Sequence, residues 1–464
     1  MRLRFTFAAL TAVGLLVPAR RAIGVPDAPH SADESDRYDL SIRSESYLEL
    51  FRRALLPGPN GTIVATDTVA PVHQYLRLRA LDVDTGWRED SIDIELAAFG
   101  RAWFGEPDFD RRFDGDVQAA HVSYEHGPIG LRLGRQEATG GAARYVRFDG
   151  LALDANLGAG FVAGGYAGLT ALPRWDGQPG YQHLGSAADS LLRDPNALPE
   201  PERSGYKLGG GRFGWTAERG QAAVSFHEQH QPGGLTRRTL GLDARAFLLR
   251  NAALGGSGLV ELDARRIQDA RLWVDATPAR AMDLSVEYLH TEPALFLSRQ
   301  SVLSVFSTDA YDEAGGSTIV QVTDRFALEG NGFIELYDDG RRGARSEIAA
   351  RILPGAGTRT FVRVAYARVV ALDNGYHALR ASLSRRLLPV LLGTLEAYSY
   401  LYDDAILGRT TSEVYVGTLS YQAAEALNLL WGASLAQSPY AEFDAQTLLR
   451  VIIDFDHSTW SGAR

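Results

Sequence analysis

From about Tyr38 to Phe455 the chain repeats one unit, an alternating apolar and polar run of roughly ten residues closed by a short polar turn. The run Ser91-Ile92-Asp93-Ile94-Glu95-Leu96-Ala97-Ala98-Phe99-Gly100-Arg101 carries it cleanly. Its even positions are apolar or small, and Asp93, Glu95 and Arg101 share the other parity. A side-chain period of two places these sets on opposite faces of a sheet. A soluble sandwich would turn the apolar face inward and the charged face to water. Segments this numerous, with charge returning on one face, fit the inverse: an all-β transmembrane antiparallel β-barrel, lipid outside and polar groups around a lumen.

Length and composition narrow the choice. The 464 residues could hold two or three ordinary domains or one large barrel, and a slightly negative mean hydropathy implies no bundle of membrane helices. The long apolar run, Phe5 to Val17, is shorter than the roughly 20 residues a spanning helix needs. It follows Arg2 and Arg4 and leads into small residues at Ala19 and Gly24, the pattern of a cleaved secretory signal. The expected organisation is a signal peptide over 1–24, a short periplasmic lead over 25–37, a barrel over 38–455 and a tail over 456–464. Absence of cysteine excludes a lipid-modified N-terminal cysteine. Alternating strands also lack the continuous hydrophobicity that would halt export at the inner membrane. The outer membrane of a Gram-negative bacterium is the expected location. Outer-membrane lipid and the barrel-assembly machinery are then the expected partners.

A formal net charge of -10 argues against nucleic acid as a partner. No cofactor is expected. Zinc is disfavoured by ten scattered histidines without cysteine. Asp82-Val83-Asp84 and Asp403-Asp404 read as turn carboxylates rather than calcium ligands. Gly209-Gly210-Gly211 opens a strand, not a helix, and so is no phosphate loop.

Twenty-two alternating segments can be delimited, from Tyr38–Arg53 to Ala445–Phe455. Joining neighbouring short pieces into bent strands gives an expected total of about 18, even as in bacterial barrels. Two connections are long. Ala171 to Ser204 is rich in Pro, Gly, Asp and Ser, whereas Thr291 to Ser317 holds the apolar runs Ala294–Leu297 and Val302–Phe306. The second reads either as a constriction packed inward or as two further strands. Trp103, Tyr337, Tyr402 and Trp431 fall near strand ends, where interfacial girdles sit.

Parity assigns faces, because lipid strongly disfavours Arg or Asp at the midplane. The pore-lining candidates in the first half are Arg77, Arg79, Asp93, Glu95, Arg101, Arg132, Arg135, Arg144 and Arg147. In the second half they are Asp243, Arg245, Arg265, Arg351, Arg359, Arg363, Arg380 and Arg450. With acids such as Glu45, Glu347 and Glu396 on the same parity, pairing across strands is expected. A cluster of unpaired arginines would instead make an anion-selective constriction.

The last strand, Leu449-Arg450-Val451-Ile452-Ile453-Asp454-Phe455, alternates outward and ends on an aromatic, and resembles the C-terminal recognition signal of outer-membrane barrels. Nine residues follow Phe455, where that signal would close the chain. Leu131-Arg132-Leu133-Gly134-Arg135-Gln136, a Gly-rich turn, and then Arg144-Tyr145-Val146-Arg147-Phe148-Asp149-Gly150 resemble alginate-export-type outer-membrane porins. The resemblance implies a monomeric barrel of about 18 strands whose arginine-rich lumen passes an anionic secreted polysaccharide, with periplasmic export components as partners. From the motif it carries over Arg135, Arg144 and Arg147. The long acidic loop usual in that family is not evident here. The alternative within transport is a general or substrate-selective diffusion porin for small solutes. An outer-membrane enzyme would need a nucleophile and base in contact. His121 and Ser123 share a strand face but stand roughly 6–7 Å apart along it.

Overall fold

The computed structural model describes residues 39–57, 63–84, 90–105, 113–171, 204–231, 234–292, 310–354, 360–371, 374–439 and 443–456. The expected signal peptide and periplasmic lead, and the tail after Asp456, lie outside the described residues. What is described is a single antiparallel sheet of 22 strands. Its first eight are β1 (Asp39–Pro57), β2 (Ile63–Asp84), β3 (Asp90–Gly105), β4 (Phe113–His126), β5 (Ile129–Gly140), β6 (Arg144–Gly158), β7 (Phe161–Ala171) and β8 (Ser204–Ala217). Then follow β9 (Gly220–Gln231), β10 (Gly234–Leu249), β11 (Ala252–Glu261), β12 (Arg266–Ala279), β13 (Met282–Thr291), β14 (Tyr311–Thr323) and β15 (Phe326–Tyr337). The last are β16 (Arg342–Ile352), β17 (Thr360–Val370), β18 (Tyr376–Leu388), β19 (Leu391–Ile406), β20 (Arg409–Ala424), β21 (Leu427–Gln437) and β22 (Asp444–Asp456). Each strand pairs with its neighbour in the chain, and β22 returns to β1 with Phe455 opposite Ile42. The sheet has no free edge.

The strand count is 22, not about 18. Joining segments was the mistake, and the turns explain it. Glu218-Arg219, Arg280-Ala281, Asp324-Arg325 and Glu425-Ala426 each connect two strands without Gly or Pro to mark the reversal. The run Thr318–Leu328, continuous by alternation, crosses the Asp324-Arg325 turn.

Connections after even-numbered strands are two residues long in eight of ten cases. Those after odd-numbered strands include 172–203 and 292–310. Both ends of the sheet, Asp39 and Asp456, lie on the short-turn side. Short periplasmic turns and longer external loops are the pattern of outer-membrane barrels. At one longer connection, after β15, the backbone N–H of Arg341 donates to Asp339 at 2.9 Å and holds that carboxyl below its usual range.

On the outer parity stand exposed side chains such as Leu242 (60%), Ile348 (66%) and Leu395 (62%). An exposed apolar band around a closed sheet has one stable solvent, the hydrocarbon of a bilayer, where every backbone group is satisfied in the ladder. The molecule is an outer-membrane β-barrel. Twenty-two strands about 4.8 Å apart, tilted by about 40°, enclose a ring roughly 40 Å across. Wall side chains cannot fill so wide a lumen. Few large side chains are fully enclosed, and four of them, Phe148, His227, Gln136 and Thr239, gather at one place.

Candidate functional site: the lumen and its in-folded hairpin

That place is a break in the wall. β5 pairs with β4 only as far as Arg135, opposite Ala120, and β6 pairs with β7 only from Phe148, opposite Thr170. Beyond those limits β5 and β6 pair with each other alone, from Gln136 opposite Phe148 to Gly140 opposite Arg144. Residues 136–147 are therefore a hairpin tip without lateral neighbours. Its 3-10 turn, Gly141–Ala143, rests on β9 and β10. The Ala142 N–H donates to Ser225 Oγ at 2.8 Å, and Thr239 Oγ1 donates to the Ala142 carbonyl at 2.9 Å. Arg144 Nη2 lies 3.0 Å from an Asp269 carboxylate oxygen on β12. To reach these strands the tip passes over β7 and β8, a chord that only the concave side allows. Ser225 and Thr239 thus mark the lumen face, and alternation carries that face around the sheet.

The hinge is built from the motif residues. Gly134 has φ +123°, and a Cβ there would stand 2.3 Å from the Ala120 carbonyl oxygen. Only glycine lets the strand turn inward this close to its neighbour. Across β6, Gly150 faces Gly168, and a Cβ on Gly150 would meet the Ala167 oxygen at 2.1 Å. Gln136 Nε2 donates to the Gly150 carbonyl at 3.0 Å and closes the bend. Arg135 grips Asp149 with two bonds, 2.7 and 2.8 Å, and donates to the Val117 carbonyl at 3.0 Å. Arg147 donates to Asp116 of β4 at 3.0 Å from a buried position. Phe148 packs its ring 5.4 Å from that of Tyr166, whose hydroxyl meets His227 Nδ1 at 2.8 Å. Arg135 and Arg147 thus tie the hinge to β4, and Arg144 docks the tip.

Along the rest of the wall, charges of both signs interlock. Arg77 donates to Glu95 at 2.5 Å, and Arg79 lies 3.3 Å from the same carboxylate. Asp93 accepts the Asp82 backbone N–H at 2.8 Å. A chain crosses four strands from β15 to β18: Arg351 to Glu329 at 2.7 Å, Arg363 to Glu329 at 3.0 Å, Arg363 to Glu347 at 2.5 Å and Arg380 to Glu347 at 3.1 Å. Arg450 crosses the closing seam to Glu45 at 2.5 Å. Asp243 pairs with Arg212 at 3.0 Å. Arg101 stacks over Trp103 at 4.5 Å and Arg245 over Phe247 at 5.0 Å. Arg132 donates to Ser123 Oγ at 3.2 Å, and His121 Nδ1 lies 3.3 Å from the Arg135 carbonyl oxygen. Exposed pairs of this kind add about 0–1 kcal/mol each to stability. Their larger effect is on the field, since paired ions cancel at the distance of a passing solute.

Other expectations fare differently. Arg265 is on the turn after β11, in a left-handed conformation, not on a strand. Arg359 lies outside the described residues, as do 293–309 of the proposed constriction; Tyr311–Ser317 belongs to β14. Trp103, Tyr337 and Tyr402 are on the lumen parity rather than in an outer girdle. Trp431 does face outward, donating to Thr447 Oγ1 at 3.1 Å. The outer aromatics include Tyr124 and Tyr288, which donate to Asp90 and Asp312 at 2.8 and 2.7 Å. Sequence reasoning missed Gln136, Ser225, His227 and Thr239 at the docking surface. The Gly140-Gly141 turn was the available signal that a strand pair ends in something other than a plain hairpin.

No protein-family model and no curated protein matches this chain. Among solved structures it aligns with the outer membrane protein opdK from Pseudomonas aeruginosa at TM-score 0.41 and 9% identity, over 90% of this chain and 99% of that one. It aligns with Acinetobacter baumannii OccAB4 at TM-score 0.43 and 8% identity, over 91% and 99%. The P pilus usher (PapC) translocation pore aligns at TM-score 0.42 and 10% identity, over 89% and 99%. Likeness of this order carries no argument; the barrel assignment rests on the closed sheet and its two faces.

Proposed function

We propose that this barrel is a diffusion channel for small hydrophilic solutes. The observation that supports this reading most is the docked hairpin tip at 136–147, which folds into the lumen and narrows it. The paired wall charges agree with it. An exporter of an anionic polysaccharide would be served by arginines free to meet carboxylates. Here Arg77, Arg144, Arg351, Arg363, Arg380 and Arg450 each have a carboxylate partner within the protein.

Reconstitution into planar bilayers tests the proposal. The expected result is a stable ohmic conductance with weak discrimination between cations and anions, read as a reversal potential near zero in a salt gradient. Strong anion selectivity with block by polyuronate would return the polysaccharide reading to first place. A silent bilayer containing heat-modifiable, folded protein would reject the channel altogether.

A further inference from the structure

Eight to ten strands around the sheet from β9 and β10, where the tip docks, the lumen wall changes character. On β19, Tyr398, Tyr400 and Tyr402 alternate onto the inner face, so their rings form a ladder with rungs roughly 6–7 Å apart. Tyr376 of β18 stands edge-on to two of them, with ring centroids 5.6 Å from Tyr400 and 6.4 Å from Tyr402, both at 71°. Ala378 and Ser412 flank Tyr400 without charge, and Tyr398 lies between Val414 and Arg380. Aromatic and aliphatic side chains facing a water-filled lumen are costly to leave bare, and a concentrated patch of them marks a surface that meets a ligand.

The chemistry of the strip selects among ligands. The flanking cation, Arg380 opposite Tyr398, is paired with Glu347 at 3.1 Å, and Glu396 adds negative charge on the same face, which disfavours an anionic solute. The Tyr398 hydroxyl donates to Glu396 at 2.8 Å. A carboxylate has about four acceptor positions, and Tyr398 uses one. Ring faces beside hydroxyl and carboxylate acceptors suit a molecule with an apolar C–H face and a rim of hydroxyl donors. We infer that Tyr376, Tyr400 and Tyr402, with Tyr398 and Glu396 below them, form a stacking track for neutral saccharides. The track begins at the long-connection end of the lumen, where β18 starts and β19 ends. This inference rests on the diffusion-channel reading and names its solute class.

Maltohexaose added to the reconstituted channel is the probe. Reversible block of the ion current is expected for the native protein. In a Tyr400→Ala/Tyr402→Ala variant the blocking concentration should rise by about tenfold, from the loss of two aromatic contacts. Open-channel conductance and heat-modifiable gel mobility should be retained. The Tyr400→Phe/Tyr402→Phe variant keeps the rings and should keep the block. Equal block in native and alanine proteins would overturn the track, as would a conducting native channel indifferent to maltohexaose. Absence of any native conductance would instead remove the channel reading on which the track stands.

Discussion

At the scale of single residues, the hinge concentrates the least replaceable positions. Gly134 combines a positive φ with a 2.3 Å approach to the Ala120 oxygen, so Gly134→Val adds strain and overpacking together. A loss of about 1–3 kcal/mol is expected from overpacking alone, measured as a lower urea midpoint in the folded, lipid-bound protein. Gly332→Ala on β15, with nothing within 4 Å of its added Cβ, should leave that midpoint unchanged. Ion pairs divide by the same logic of enclosure. Arg147 and Asp116 show side-chain exposures of 6% and 10%, whereas Arg271, paired with Glu287, is 50% exposed. Arg147→Ala should cost about 3–5 kcal/mol, because it strands part of a buried carboxylate's pairing. Arg271→Ala should cost about 0–1 kcal/mol. Equal losses at the two sites would contradict the view that the hinge is a sealed joint.

At the scale of elements, the β5–β6 hairpin behaves as two structures in one. Its lower half is wall, paired on both sides; its upper half is a cantilever held by Ser225, Thr239 and Asp269. Replacing 137–146 with a two-residue Asn-Gly turn, which suits a tight hairpin, should leave the barrel closed and raise single-channel conductance. Unchanged conductance would mean the tip does not limit the path. The alternation in β5 and β6 was legible in the chain, as were the residues of the hinge, quoted there for a resemblance and not for bending. Their inward turn was not legible. Alternation reports which side chains share a face, and it is silent on which neighbour a strand gives up. Strand number failed for a related reason, since charged two-residue turns such as Asp324-Arg325 lack the Gly and Pro that announce a reversal.

At the scale of the whole molecule, the closed sheet faces two solvents, and each face should tolerate only its own chemistry. Leu242, 60% exposed near the centre of β10, faces acyl chains, so Leu242→Arg should destabilise by about 2–4 kcal/mol in vesicles. Ser317→Arg on β14, on the lumen face, should stay within about 0.5 kcal/mol. Comparable losses would mean the two faces are misassigned. The amino-acid order by itself determined that assignment: a period of two with charge on one parity admits lipid on one side and water on the other, because each side chain's transfer cost is local. What the tertiary structure decided was everything that depends on curvature. Only closure brought β1 to β22, paired the arginines with carboxylates from neighbouring strands, turned 136–147 into the lumen and set a tyrosine ladder across from it. Contacts between residues far apart in the chain are fixed by the ring that joins them, and no local pattern of side chains encodes a ring's circumference.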